Sequence, residues 1–258
     1  LTAREALRVA VQRLAAAGVE SPRVDAEWIV AHALGVSRTQ MHARLDDEIE
    51  IEPLLARREA REPLAYVLGE WGFRRLTLKT DARALVPRPE TEILVERALA
   101  LLRDVRGPRV LDIGVGSGAI ALSLKDERPD ARVVGVDVSR DALALAQENA
   151  QRLGLDVELR AGGLETAAEG WELVVSNPPY VEELAGLQPE LQHEPEHALV
   201  GRGFHERIAQ VALTRFLALE VGDGQASDVA DALRDAGYRN VAITRDLAGS
   251  ERVVEGER

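Results

Sequence analysis

The chain contains no cysteine. That excludes disulfides, thiolate metal sites and a cysteine nucleophile, and it fits a cytoplasmic protein. It also lacks an apolar run of membrane-spanning length and a cleavable secretory signal. Positive charge is in deficit: 32 Lys and Arg against 44 Asp and Glu leave a net charge of −12. Such a balance opposes broad attraction to nucleic acid phosphates. It leaves room for a local basic patch, or for a partner that is itself basic in one region. Repeats and low-complexity tracts are missing as well. What is present is an ordinary globular composition, 46% hydrophobic, over 258 residues. That length suits one large domain, or a small domain followed by a medium one. The first residue is Leu1 rather than Met, so a short preceding piece is expected to have been removed.

Residues 1–72 are predicted to be all helical. Ala6, Leu7, Ala10, Val11 and Leu14 recur at helical spacing, and Gly18 ends that helix. Ser21 caps a second helix with Pro22 at its first position, Ala26, Ile29, Val30 and Leu34 inside, and Gly35 as its stop. Ser37 or Thr39, Glu52-Pro53 and Glu62-Pro63 mark further helix starts. The segment reads as a small bundle, with His32 and His42 as surface or packing residues. Residues 73–86 partly alternate, from Phe73 to Lys79 and again at Leu85-Val86, which predicts a β-hairpin linker. Residues 87–258 form the third piece. Pro87-Arg88-Pro89-Glu90-Thr91-Glu92 leads into a helix through Ile93, Leu94, Ala98, Leu101 and Leu102. Glu90 and Glu92 suit a helix start, where carboxylates favour the macrodipole. Strands are predicted at 109–113, 132–137, 156–160, 172–176, 215–221 and 240–245, with a last one around Val253-Val254. Helices fall between them, including 142–153 and 227–236. This alternation predicts a doubly wound α/β sheet with its ligands at the carboxyl ends of the strands.

Two stretches carry chemistry. Val110-Leu111-Asp112-Ile113 runs straight into Gly114-Val115-Gly116-Ser117-Gly118, and a helix starts at Ala119. Glycines there allow a tight turn and a close approach of ligand to main chain. The spacing also satisfies a dinucleotide-binding fingerprint, so a nicotinamide or flavin remains an alternative. Asp137, at the end of the next strand, can accept hydrogen bonds from both hydroxyls of an adenosine ribose. A pyrophosphate prefers a helix N-terminus free of carboxylates. Asp112 would repel it, yet could hold the cationic amino group of S-adenosylmethionine, directly or through water. The second stretch, Asn177-Pro178-Pro179-Tyr180, follows the apolar run Leu173-Val174-Val175. Two prolines fix a stiff bend beside one amide and one aromatic ring, suited to gripping a planar, nitrogen-bearing group.

Together these features resemble the class I S-adenosylmethionine-dependent methyltransferases that modify planar nitrogens. Pro87-Arg88-Pro89-Glu90-Thr91-Glu92 narrows the resemblance to the peptide release factor glutamine methyltransferases, the PrmC/HemK family. So do Pro63-Leu64-Ala65-Tyr66-Val67-Leu68-Gly69 and Glu194-Pro195 followed by Ala198-Leu199. The resemblance covers nearly the whole chain. It implies a seven-stranded methyltransferase sheet, an N-terminal helical bundle that docks the substrate, and N5-methylation of the glutamine in the Gly-Gly-Gln loop of class I release factors. By this resemblance Asp112, Gly114, Val115, Gly116, Ser117, Gly118, Asp137, Leu164 and Asn177 hold the cofactor. Asn177, Pro178, Pro179 and Tyr180 bind the glutamine, and Asn177, Pro178 and Tyr180 act in transfer, Tyr180 by packing on the amide plane. Where the family carries an acidic and then an aromatic residue after the third strand, this chain has Gly162-Gly163-Leu164, which leaves apolar packing from Leu164. The segments around 201–204 and 212–216 are shorter than in the family. An adenine-N6 DNA or RNA methyltransferase shares the tetrapeptide chemistry, but it would need a basic recognition region. A non-catalytic module that kept the fold is disfavoured by the intact tetrapeptide and glycine loop. His193-Glu194-Pro195-Glu196-His197 matches a zinc-protease pattern, but Pro195 interrupts the helix that pattern needs. No residue is therefore assigned to a metal.

Overall fold

Thr2 opens the first helix of the computed structural model, α1 (Ala3–Ala16), through a reciprocal capping box with Glu5. Gly18 follows that helix at φ +73°, a left-handed conformation natural to glycine. Helix α2 (Pro22–Leu34) starts on proline and ends on left-handed Gly35, although the Ser21 side chain makes no cap bond. Ser37 and Gln40 form a second capping box on α3 (Arg38–Met41). Helices α4 (Glu52–Glu59) and α5 (Leu64–Leu68) complete the run. The structure describes residues 1–181, 183, 186 and 188–258. Two compact units emerge, the first running from Leu1 to Glu70 and taking in a 3-10 turn at Pro189–His193. Arg58 ties this unit together. Its guanidinium donates to Asp25 at 2.7 Å, to Glu190 at 2.9 Å and to the Glu62 carbonyl at 3.1 Å. Arg61 grips the same Glu190 through two nitrogens, each at 2.8 Å. Burial alone would raise the Glu190 carboxyl, but the two arginines hold it down at about 2.

The second unit begins at Trp71. The hairpin strands are β1 (Glu70–Phe73) and β2 (Leu76–Lys79), so pairing starts earlier than the expected 73–86 and ends sooner. Asp81 explains the early end. Its carboxylate accepts from the Arg83 N–H at 3.2 Å and from the Arg83 side chain, a local turn that breaks extended backbone. Leu85 and Val86 are therefore not a strand.

Beyond the hairpin the strands are β3 (Arg109–Ile113), β4 (Arg132–Asp137), β5 (Glu158–Ala161), β6 (Trp171–Ser176), β7 (Thr214–Glu220), β8 (Arg239–Arg245) and β9 (Glu251–Glu257). They form one seven-stranded sheet in the order β5-β4-β3-β6-β7-β9-β8, in which β9 runs antiparallel to both neighbours. The interleaved helices are α6 (Thr91–Leu101), α7 (Ala119–Glu127), α8 (Arg140–Leu153), α9 (Glu196–Leu199), α10 (Phe204–Val211) and α11 (Ala226–Asp235). This is the doubly wound α/β sheet that the alternation predicts. The central strands are apolar on both faces because both are covered. Val110, Leu173, Val175 and Ala218 pack with Leu94, Val95 and Leu124 on one side. Leu111, Val174, Leu217 and Leu219 pack with Ile208, Val229 and Leu233 on the other. The chain leaves β3 toward β4 and β5, then returns to β6 on the opposite side. A crevice for a ligand is expected at the carboxyl ends of β3 and β6, where that reversal occurs. Ile113 and Ser176 are partners in register there, and the Ser176 hydroxyl donates to the Ile113 carbonyl at 2.7 Å.

Candidate active site

Both chemical stretches start one residue beyond that pair. After Ile113 the backbone turns through Gly114, Gly116 and Gly118 at φ +75°, +54° and +90°. Side chains are strained in that region, so the turn requires glycine. The Gly114 and Val115 N–H groups both donate to the Val136 carbonyl at 2.9 Å, which ties the loop to the end of β4. Val115 fits down onto β4 because residue 135 is glycine. A Cβ on Gly135 would stand 2.5 Å from Val115 Cγ2. Sequence reasoning passed over Gly135; its signal was a lone glycine inside an apolar strand.

Asp137 closes the other side of the loop. Its Oδ2 accepts from the Gly116 N–H at 3.0 Å and its Oδ1 from the Ser139 N–H at 2.9 Å. Each oxygen keeps a lone pair for a ligand. The Gly162 N–H donates to the Asp137 carbonyl at 3.1 Å, bringing the Gly162-Gly163-Leu164 turn to the same place. The next residue, Glu165, was not singled out from the sequence, yet it lines this cavity. Hydrogen bonds from its own backbone N–H and from that of Gly163 hold it below the usual carboxylate range.

A cavity of about 370 Å³ lies over these strand ends. Of the expected site residues, Gly114, Val115, Gly116, Ser117, Asp137, Leu164, Asn177, Pro178 and Pro179 line it. Residues not foreseen as lining include Leu85, Val86, Thr91, Val138, Phe204 and Arg207. Leu85-Val86, expected as strand, thus serves as cavity wall. Asp112, Gly118 and Tyr180 are not among the lining residues. Asp112 is wholly buried beneath the loop, with Oδ2 accepting from the Ala121 N–H at 3.1 Å and Oδ1 left without a partner. Burial, reinforced by the nearby Asp137 charge, pushes its carboxyl up to about 7. The Tyr180 ring packs on Gly222, where a Cβ would meet it at 2.9 Å. Gln225 also donates to its carbonyl at 3.1 Å. Burial pushes the Tyr180 phenol up to about 12, so it stays neutral.

Asn177 presents its amide to the cavity in a defined sense. Nδ2 donates to Thr91 Oγ1 at 3.2 Å, and Oδ1 is the acceptor end of the amide. The edge is set by Glu194, which accepts from the Arg88 guanidinium and, at 3.0 Å, from the Val86 N–H. The Pro-Arg-Pro-Glu-Thr-Glu and Glu-Pro elements meet in that contact. Gly201 completes the rim, because a Cβ there would crowd Pro179 and Phe204 at 2.9 and 2.8 Å. The zinc-protease pattern is broken. His193 ends the 3-10 turn, and α9 starts at Glu196 after Pro195.

A sheet of this order, with a glycine loop after its first strand, a carboxylate ending the second and Asn-Pro-Pro-Tyr after the fourth, defines a class I S-adenosylmethionine-dependent methyltransferase. Comparison with known proteins agrees. Residues 5–69 match the PrmC N-terminal domain and residues 90–213 the methyltransferase small domain. The release factor glutamine methyltransferase of Deinococcus radiodurans is 43% identical over 275 residues, covering 99% of this chain and 98% of that protein. Its counterpart from Bordetella pertussis is 42% identical, over 91% of this chain and 94% of that protein. The chain belongs to the release factor glutamine methyltransferase family. Among solved structures, the hMettl16 catalytic domain shares the fold at a TM-score of 0.57 and 13% identity, covering 83% of this chain and 85% of that one.

Proposed function

We propose that this protein transfers a methyl group from S-adenosylmethionine to the side-chain N5 of the glutamine in the Gly-Gly-Gln loop of class I peptide chain release factors. The observation that carries this reading is the Asn177 amide, which lines the cavity beside the glycine loop with its nitrogen on the Thr91 hydroxyl. The donor set fits the cofactor. Asp137 offers two lone pairs at the position of a ribose. A carboxyl with an orphaned oxygen, Asp112, lies just behind the loop, so a cationic ligand suits this site better than a diphosphate. Leu164 and Val138 supply apolar walls for a base, and the Glu165 carboxylate can accept from an exocyclic amine. When bound, S-adenosylmethionine supplies an electrophilic methyl group on a sulfonium.

The residues of this chain then have one task. An amide nitrogen is a poor nucleophile because its lone pair is delocalised into the carbonyl. The Asn177 Oδ1 and the Pro178 carbonyl accept the two N–H hydrogens of the substrate amide, which enriches the nitrogen and aims it. Catalysis rests on positioning and electrostatics rather than on a strong base, because the nitrogen gives up its extra proton to water only after it has gained the methyl group. Tyr180, neutral and packed on Gly222, keeps the bend stiff. The substrate is a protein, with no direct contact to nucleic acid required, and the work is cytoplasmic, which suits a chain without cysteine. No described helix is long and apolar enough to cross a membrane.

The test uses labelled S-adenosylmethionine with purified release factor, with release factor whose loop glutamine is changed to alanine, and with duplex DNA. Label is expected only in the unmodified release factor, whereas label in DNA would overturn the proposal. Asn177→Ala should reduce transfer at least about a hundredfold while cofactor binding persists.

A further inference from the structure

We infer that Asn149 is a positioning residue for the cofactor: it locks the end of the hairpin to the glycine loop, so that the two grip the cofactor as one piece. This rests on the reading of the cavity as the S-adenosylmethionine site. Residues 83–86, which follow the hairpin, line that cavity, and so do residues 114–117 of the loop. Asn149 is wholly buried and is not among the lining residues. It lies on α8, one turn beyond Leu145 on the inner face of that helix. On this face Ala142 and Leu145 cluster with Ala84. Asn149 carries the face on to Lys79, the last residue of β2.

Its amide is fully used. Oδ1 accepts from the Lys79 N–H at 2.7 Å. Nδ2 donates to the Lys79 carbonyl at 3.1 Å and to the Ser117 carbonyl at 2.9 Å. A primary amide has two donor hydrogens and one carbonyl oxygen, so both hydrogens go to carbonyls and the oxygen to an N–H. Turned over, the group would set its oxygen against two carbonyl oxygens. Leucine could meet none of these main-chain groups, and an ionised aspartate could meet only the N–H. A buried amide is costly unless its bonds are made, and here they are made to two separate segments at once. The neighbouring Glu148 holds the same hairpin end by its side chains. Its carboxylate accepts from Lys79 Nζ at 2.6 Å and from the Arg83 guanidinium at 2.8 and 3.0 Å. Of the two, Asn149 is the one bonded to the glycine loop.

The consequence is a coupling of two walls. Ser117 stands between two left-handed glycines, in a turn with few side chains to hold it. The near end of that loop is tied to Val136 and Asp137 by the N–H groups of Gly114, Val115 and Gly116. Asn149 ties the far end through the Ser117 carbonyl. A ligand that orders the loop therefore also orders Lys79 and the wall that follows it. By linkage, a hairpin end that loosens weakens the hold on the ligand. Presenting both walls already assembled spares the cofactor the cost of ordering them.

The experiment reads amide hydrogen exchange, affinity for S-adenosylmethionine by calorimetry, and melting temperature, in the full chain and in Asn149→Leu and Asn149→Asp. In the parent, saturating S-adenosylmethionine should slow exchange of the Lys79 N–H at least about tenfold, although Lys79 is not a lining residue. The Ile243 N–H of β8, on the far edge of the sheet, is the reference and should change far less. Asn149→Leu should weaken cofactor binding roughly tenfold, the scale of one buried hydrogen bond. Its kcat on release factor at saturating cofactor should stay within about threefold, the pattern of lost uniform binding. Asn149→Asp keeps the size and the acceptor but, ionised, has no donor for Ser117, so it should weaken binding as much. Lys79 exchange that ignores the cofactor, or that slows no more than Ile243, overturns the lock. So does parent-like affinity in either variant below its melting temperature, because a lower melting temperature alone is what a purely structural asparagine would give. If neither variant folds, the exchange comparison in the parent decides. A parent chain that does not bind S-adenosylmethionine defeats the reading of the cavity instead, and that control separates the two failures.

Discussion

Gly135 bears no functional group, yet it sets the depth of the cofactor loop. A methyl there would press on Val115 Cγ2 at 2.5 Å and on Leu159 Cδ2 at 3.0 Å. Val115 would have to lift, straining the two N–H bonds to the Val136 carbonyl. Gly135→Ala should cost about 1–3 kcal/mol, the usual range for overpacking. It should also weaken cofactor binding several-fold, read by urea unfolding and by ligand titration; unaltered affinity would show that the loop floats free of β4. Asp112 acts on the same loop from below. Its carboxyl titrates at about 7 in the folded protein, against about 3.9 in an unfolded chain. The folded state holds the proton longer, so this group's contribution to stability is complete below about pH 4 and is lost as pH rises toward 7. Asp112→Asn removes that loss. Its advantage over the parent should grow between those limits by at most about 1.4 kcal/mol per unit and then level off. Parallel stability curves for the two proteins would contradict a raised carboxyl.

Among the elements, α4 and the 3-10 turn Pro189–His193 are held by charge. Arg58 is 6% exposed and neutralises Asp25 and Glu190 at once. Arg58→Ala leaves two largely buried carboxylates without that partner, and removing one member of such a pair costs about 3 kcal/mol or more. The loss should appear as early melting of the first unit, followed through Trp28, with faster hydrogen exchange over Pro189–His193. Arg58→Lys should recover only part of it, since a single ammonium cannot replace the fork. The elements also show what a sequence discloses. The sheet strands were legible because apolar runs ended at Gly114, Asp137 and Asn177, which are local signals. The hairpin was misplaced because Leu85-Val86 has the apolarity of a strand and the job of a cavity wall, two roles that composition cannot separate. Glycine loop, Asp137 and tetrapeptide were likewise legible, being contiguous chemistry. Thr91, Gly135 and Glu165 were not assigned these roles. What each does depends on a cross-strand register, a neighbouring strand's side chain or a turn that brings it back to the cavity. The packing of Tyr180 was not legible for the same reason, since the space at Gly222 that takes its ring lies 42 residues away in sequence.

On the scale of the whole molecule, the cavity and the helical bundle are separable in composition. Every residue lining the cavity belongs to the second unit. That unit also has its own apolar core from Phe73 to Val253. Cofactor binding should therefore need nothing from the first sixty-nine residues, whereas recognition of a folded release factor should, with the bundle as the docking element. A chain that starts at Glu70 tests the division. Its cofactor affinity should remain within about threefold of the full chain, since uniform binding groups are untouched. Its kcat/KM for release factor should fall at least about a hundredfold, because binding energy remote from the reacting amide is what positions it. A short peptide bearing the Gly-Gly-Gln sequence should discriminate further: both forms should methylate it slowly and alike, since it lacks the body that the bundle would hold. Undiminished kcat/KM on the intact release factor would remove the docking role from the bundle. Loss of cofactor binding along with activity would show instead that the second unit depends on the first for its fold. The peptide and the cofactor titration together keep those outcomes distinct.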